Sequence, residues 1–210
     1  MHLRKIVLLF CLIFSGTTLA SPLIVVFGDS LSAGYGLAAH QAWPDLLQQR
    51  LNSRMPGRHW QVFNASISGE TSAGGLARLP ATLAQHPAAI VILELGANDG
   101  LQGLSLPNLQ DNLTAMIEDI HHSGARTLLA GVRLPPNYGL TYTGKFQQVY
   151  SNLARQNHIT LLPSLLNGID TQPELFQADR LHPTAAAEYQ VLDNVCASLR
   201  PLLRSKSAQK

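Results

Sequence analysis

The feature that most constrains this chain is its rhythm. From Ser21 onward, short and almost purely apolar runs alternate with longer stretches whose apolar residues recur at helical spacing. Leu23 to Phe27, Gln61 to Phe63, Ala89 to Leu95, Thr127 to Val132 and Ile159 to Leu162 read as strands; Glu94 is the one polar interruption of the third. Ala42 to Met55, Thr71 to His86, Asn108 to His122, Lys145 to Asn157 and Thr184 to Leu203 read as helices. Strands that are apolar on both faces must be covered on both faces, which demands a parallel sheet between two helical layers. The expectation is an α/β protein: a three-layer α/β/α domain around a five-stranded parallel sheet. No stretch inside 21–203 has linker composition and no repeat is present, so a single domain is expected there.

The first twenty residues do not belong to that rhythm. Arg4 and Lys5 precede an apolar run from Ile6 to Phe14, and small residues lead to Leu19-Ala20. This is the layout of a cleaved secretory signal, with a run about half the roughly 20 residues of a spanning helix. Residues 1–20 are therefore expected to leave, 21–203 to fold, and 204–210 to form a flexible polar tail. Of 15 basic residues in the chain, Arg4 and Lys5 depart with the signal, which leaves as many basic as acidic residues, 13. A neutral protein has no electrostatic case for nucleic acid or an anionic membrane surface. Only Cys196 remains, so no internal disulfide can form. A periplasmic or secreted location is expected, and the lack of a repeat or heptad leans to a monomer without an obligate protein partner.

Ligands of such sheets bind beyond the carboxyl ends of the strands, and there the polar residues gather. The first strand runs into Gly28-Asp29-Ser30, the second into Asn64 to Thr71 with Gly69 near its end, the third into Gly96-Ala97-Asn98-Asp99. Before the last helix stands Asp179-Arg180-Leu181-His182-Pro183. Each segment alone is ordinary turn chemistry, and Pro183 suits a first helical position. Together they supply what acyl transfer needs. Ser30 is a candidate nucleophile, His182 the base that takes its proton, and Asp179 the carboxylate that orients the imidazole. The Ser30 N–H, the Gly69 N–H and the Asn98 amide are candidate oxyanion donors.

The four blocks, in this order, resemble those of the SGNH branch of the GDSL hydrolases, and the match spans nearly all of 21–203. Gly75-Leu-Ala-Arg78-Leu-Pro80 and Leu134-Pro-Pro-Asn-Tyr-Gly139 are similar to a bacterial thioesterase and lysophospholipase subgroup of that family. The resemblance implies a flavodoxin-like fold and a serine enzyme, without cofactor, that cleaves thioesters, lysophospholipids and simple esters. Ala97 and Glu70 depart from the Gly and Asp familiar there, and neither is expected to touch the catalytic set. An O-acetylesterase acting on carbohydrate is the alternative within the same fold.

Other chemistries fit less well. Ser32 stands where a G-x-S-x-G elbow needs its second glycine. Gly34-Tyr-Gly36-Leu-Ala-Ala39 starts too far past the strand for a dinucleotide fingerprint and lacks the acidic residue that should follow. His40, His59, His86, His121, His122, His158 and His182 show no metal-binding spacing, so no metal is expected. Leu101, Leu104, Leu106 and Pro107 follow the Asn98 block, and Leu134 to Tyr142 follow the fourth strand. These loops are apolar for loops. With Tyr138 and Tyr142 they are expected either to line an acyl groove or merely to cap the core.

Overall fold

The computed structural model describes residues 21–204; the segment read as a signal and residues 205–210 of the expected tail lie outside them. Five strands form one sheet: β1 (Leu23–Gly28), β2 (Gln61–Asn64), β3 (Ile90–Glu94), β4 (Arg126–Ala130) and β5 (Thr160–Leu162). Every pairing is parallel and the order is β2-β1-β3-β4-β5. That is the flavodoxin-like order, and its direction of winding reverses between β1 and β3. The crevice at their carboxyl ends is the natural ligand position, and Ser30 and Asn98 follow those two strands.

Among the described residues seven α-helices flank the sheet: α1 (Ser30–Ala33), α2 (Trp43–Arg54), α3 (Ser72–Gln85), α4 (Ala97–Leu101), α5 (Leu106–His122), α6 (Leu140–Gln156) and α7 (Glu188–Arg204). Helices α2 and α7 pack together on one face, while α3, α5 and α6 form the other layer. The five long helices correspond to the five expected from spacing. In α5, Leu109, Leu113, Met116, Ile117 and Ile120 form the buried stripe, and the Ser105 hydroxyl caps the start by accepting from the Asn108 N–H. All five residues of β3 are buried, as are Ile24 to Phe27 of β1. At about 1.5–3 kcal/mol for each large apolar side chain, these central strands hold the frame on which the exposed loops are built.

Most element ends lie within two residues of the sequence reading, but the starts of α6 and α7 differ by more. Helix α6 begins at Leu140 rather than Lys145, because its first turn is tied down by Tyr142, whose hydroxyl donates towards the Gly100 carbonyl at 3.4 Å. Helix α7 begins at Glu188, not Thr184: Pro183 is no helix-entry residue but pairs with Phe176 in an antiparallel bridge. It also runs through Arg204, the first residue assigned to the tail. Among the described residues no helix is long and apolar enough to cross a membrane.

Candidate active site

Ser30 opens the four-residue helix α1 directly after β1. Asp29 makes that sharp turn by accepting the Leu31 N–H on Oδ1 at 3.0 Å, a side-chain cap. Gly28 belongs there because a Cβ would stand 2.5 Å from Glu94 Oε2 on the neighbouring strand. The Ser30 side chain thus leaves the carboxyl edge at the β1/β3 reversal.

His182 meets it from 152 residues further along the chain, with Nε2 2.8 Å from Ser30 Oγ. Its Nδ1 lies 2.7 Å from Asp179 Oδ2, which assigns the proton to Nδ1 and leaves Nε2 free to accept the serine hydroxyl. Asp179 Oδ1 also accepts the backbone N–H of Leu181 at 2.9 Å and of His182 at 3.0 Å. Burial alone would raise the Asp179 carboxyl, but the Leu181 N–H, the imidazole and the His182 N–H outweigh it and hold it at about 2. The loop that carries both residues closes on itself through the Gln177 N–H, which donates to the His182 carbonyl at 2.8 Å. The Gln177 amide donates to the Pro183 carbonyl at 2.9 Å and to the Tyr35 carbonyl at 2.8 Å, fastening the loop to the turn after α1.

The candidate donors converge on the same rim. Gly69 has φ +82°, a conformation in which a side chain is strained, and open space faces its missing Cβ. Among the described residues, neither the Ser30 N–H nor the Gly69 N–H is occupied by another protein group. Asn98 Nδ2 donates to the Glu70 carbonyl at 2.9 Å and to Asp29 Oδ2 at 3.1 Å. Glu70 was expected to stand clear of these groups; its backbone instead holds one of them.

Beneath the rim lies a set of acids that the sequence did not announce. Glu94 Oε2 accepts the Ser32 hydroxyl at 2.7 Å and the Asp29 N–H at 3.4 Å. Burial, with the nearby Asp29 charge, pushes Glu94 well above the usual carboxylate range. Burial likewise raises Asp29 to about 7; the Leu31 N–H opposes it, and the charges of Asp99 and Glu70 add to it. Asp99 holds the first residue of α3, accepting the Ser72 N–H at 2.8 Å and its hydroxyl at 2.5 Å.

The apolar loops divide between the two expected roles. Leu101, Leu106 and Tyr142 pack partly against the core, and Leu134 is buried in it. Leu104 is 42% exposed and Pro107 is exposed as well. Tyr138 donates its hydroxyl to the Leu101 carbonyl at 2.9 Å, joining the two loops. Beside the proposed catalytic residues, three exposed apolar side chains went unnoticed in the sequence: Tyr35, whose ring centroid lies 4.5 Å from that of His182, Ile67 and Leu181. Their signal was their position, beside or inside the catalytic blocks. A cavity of about 500 Å³ lies elsewhere, against Arg126 and Thr160, the first residues of β4 and β5. It shares no residue with this rim. Among the described residues no group of three or more His, Cys, Asp or Glu side chains is arranged to hold a metal ion.

Known proteins carry the same framework. The chain is 47% identical to an esterase, TesA, of Pseudomonas aeruginosa over 184 residues, 88% of this chain and 90% of that one. It is 38% identical over 199 residues to the thioesterase 1/protease 1/lysophospholipase L1 of Escherichia coli, 95% of this chain and 93% of that one. A crystal structure of the psychrotrophic esterase EstA from Pseudoalteromonas, inhibited by monoethylphosphonate, superimposes with a TM-score of 0.82 at 36% identity, covering 87% of this chain and 99% of that one. Residues 26–188 match the GDSL-like lipase/acylhydrolase family, and the chain belongs to it.

Proposed function

We propose that this enzyme hydrolyses carboxylic esters and thioesters through Ser30, His182 and Asp179. One observation carries the reading: an unbroken hydrogen-bonded line from Ser30 Oγ through both imidazole nitrogens to Asp179, at 2.8 and 2.7 Å. Ser30 Oγ attacks the acyl carbonyl as its proton passes to His182 Nε2, and Asp179 stabilises the imidazolium without taking that proton. The oxyanion is received by the N–H groups of Ser30 and Gly69. Asn98 Nδ2 joins them by turning one N–H away from Asp29, the longer of its two bonds. The imidazolium then protonates the departing alkoxide or thiolate. Water attacks the acyl-serine with the same imidazole as base, which frees the acid and returns the proton to Ser30.

The acyl chain rests on the apolar surface around the rim: Ile67 and Leu181 beside the triad, and Leu101, Leu104, Leu106, Pro107, Tyr138 and Tyr142 on the joined loops. Each methylene sheltered there adds about 0.8 kcal/mol of binding, so medium and long acyl esters and lysophospholipids are the favoured substrates. The relatives described as a thioesterase, a lysophospholipase and an esterase support this substrate class. The first twenty residues, read as an export signal, assign the enzyme to the periplasm or the exterior.

The test uses a fluorophosphonate probe, of the same chemical class as the inhibitor of the related esterase. The wild-type protein is expected to be labelled on Ser30, and Ser30→Ala to be folded and unlabelled. A labelled Ser30→Ala would redirect the assignment to Ser66 or Ser68. Turnover of p-nitrophenyl esters should rise from acetyl to longer chains; strict preference for acetyl would favour a carbohydrate O-acetylesterase instead.

A further inference from the structure

The connection from Ala65 to Glu70 carries Gly69 yet contains no regular secondary structure. One side chain from the following helix grips both its ends. Arg78 of α3 donates from Nη1 to the Ala65 carbonyl at 2.8 Å and from Nε to Glu70 Oε1 at 3.2 Å, with Nη2 on Glu70 Oε2. Its guanidinium carbon sits 4.0 Å from the ring centroid of Phe27, a fully buried residue of β1. The fork is planar and two-pronged, so it fixes direction as well as distance, and it is braced against the strand that leads into Ser30. The Glu70 side chain is only 8% exposed, so solvent screens the pair weakly.

Glu70 faces both ways. Its carboxylate is held by Arg78, its carbonyl receives Asn98 Nδ2 at 2.9 Å, and Gly69 immediately precedes it. We infer that the Arg78–Glu70 ion pair is a positioning device for the oxyanion hole, setting the Gly69 N–H and the Asn98 amide relative to Ser30. The inference rests on the assignment of those two groups as oxyanion donors. Neither Arg78 nor Glu70 touches the reacting atoms; both act through Gly69 and Asn98. Donors of this kind work only when aimed within tenths of an ångström of where the charge develops.

The experiment compares Arg78→Ala, Arg78→Lys and Glu70→Gln with Asn98→Ala, measuring kcat and KM on a short p-nitrophenyl ester and the melting temperature of each. Asn98→Ala should lose about 10²–10³ in kcat, the usual effect of deleting a donor. Arg78→Ala should lose roughly ten- to a hundredfold in kcat with KM changed by about twofold or less, because the defect lies in transition-state stabilisation. Arg78→Lys keeps the charge without the fork and should recover part of that loss. In an Asn98→Ala background Arg78→Ala should cost distinctly less than alone, since one of the groups it aims is gone.

A kcat for Arg78→Ala within about twofold of wild type, or a full and independent loss in the double variant, overturns the inference while the oxyanion assignment stands. An unchanged kcat in Asn98→Ala overturns the assignment and the inference with it. Should Arg78→Ala not fold, Glu70→Gln decides: it keeps the side-chain volume and one acceptor, and a kcat drop of roughly several-fold supports the inference where no drop refutes it.

Discussion

Two aspartates bracket Ser30, one on the rim and one on the floor, and their surroundings drive them in opposite directions. Asp179 faces solvent, accepts two backbone N–H groups and an imidazole, and is held at about 2. Asp29 is adjacent to Ser30 in sequence but fully buried above Glu94, and sits at about 7. Residue type is the same; donors and solvent decide which carboxyl is charged. In the proposed mechanism the rim acid stabilises a cation that appears and disappears in each turnover. The floor acid shapes the nucleophile's turn and receives Asn98, tasks that need oxygen atoms more than a fixed charge.

The hardest blow to this contrast falls on the rim. His182→Ala should reduce kcat by about 10⁴ or more, because serine then has no base, while Asp179→Asn should cost somewhat less, roughly 10³–10⁴. Both variants should melt near the wild-type temperature, since their side chains lie on a surface loop and not in the core. Steady-state turnover on one ester, with circular dichroism for folding, suffices. Equal activity in Asp179→Asn and wild type would remove Asp179 from the triad and end the comparison.

The floor should answer through stability instead. Asp29 is raised from 3.8 to about 7 on folding, so between those values the native state holds a proton that the unfolded chain has released. The contribution of this group is then full below about pH 4 and is lost as the pH climbs through 7. Asp29→Asn should flatten that slope, read as urea midpoints between pH 4 and 8. Asp179 carries the opposite sign: its stabilising effect is present above the ordinary carboxylate range and lost only as the pH falls towards 2. A slope unchanged by Asp29→Asn would show that Glu94 holds the proton in its place.

The same contrast explains what could be read from the chain in advance. Strands such as Ile90–Glu94 are legible because their periodicity is their environment, buried on both faces. The proposed triad is legible because a serine just past a strand end, with an Asp-x-x-His pair before the last helix, has few other reasons to occur. What escaped depends on contacts between distant segments. Glu94 read as a lone polar interruption, yet it pairs through space with Ser32 and the Asp29 N–H from 62 and 65 residues away. Helix α4 follows Gly96, at φ +115°; the glycine signals a turn there but not the five-residue helix that comes after it. Pro183 carried a helix-entry signal that the bridge to Phe176 overrode, because the loop had to deliver His182 to Ser30.

The finest test concerns how the rim loop is fastened. The floor is built into the sheet, whereas the His182 loop is joined to the turn after α1 by the Gln177 amide, which bonds the Tyr35 and Pro183 carbonyls. Gln177→Ala removes both side-chain bonds but keeps the backbone bond from Gln177 to the His182 carbonyl. Each lost bond is partly exposed and replaceable by water, so stability should fall by no more than about 1 kcal/mol. The loop should nonetheless wander, and kcat should fall roughly three- to tenfold, because a serine and a base that spend less time within reach react less often. Unchanged kcat would mean that the backbone bond and the Phe176–Pro183 bridge hold His182 unaided; a drop in melting temperature as large as that of a core truncation would mean that the rim is as much a part of the frame as the floor.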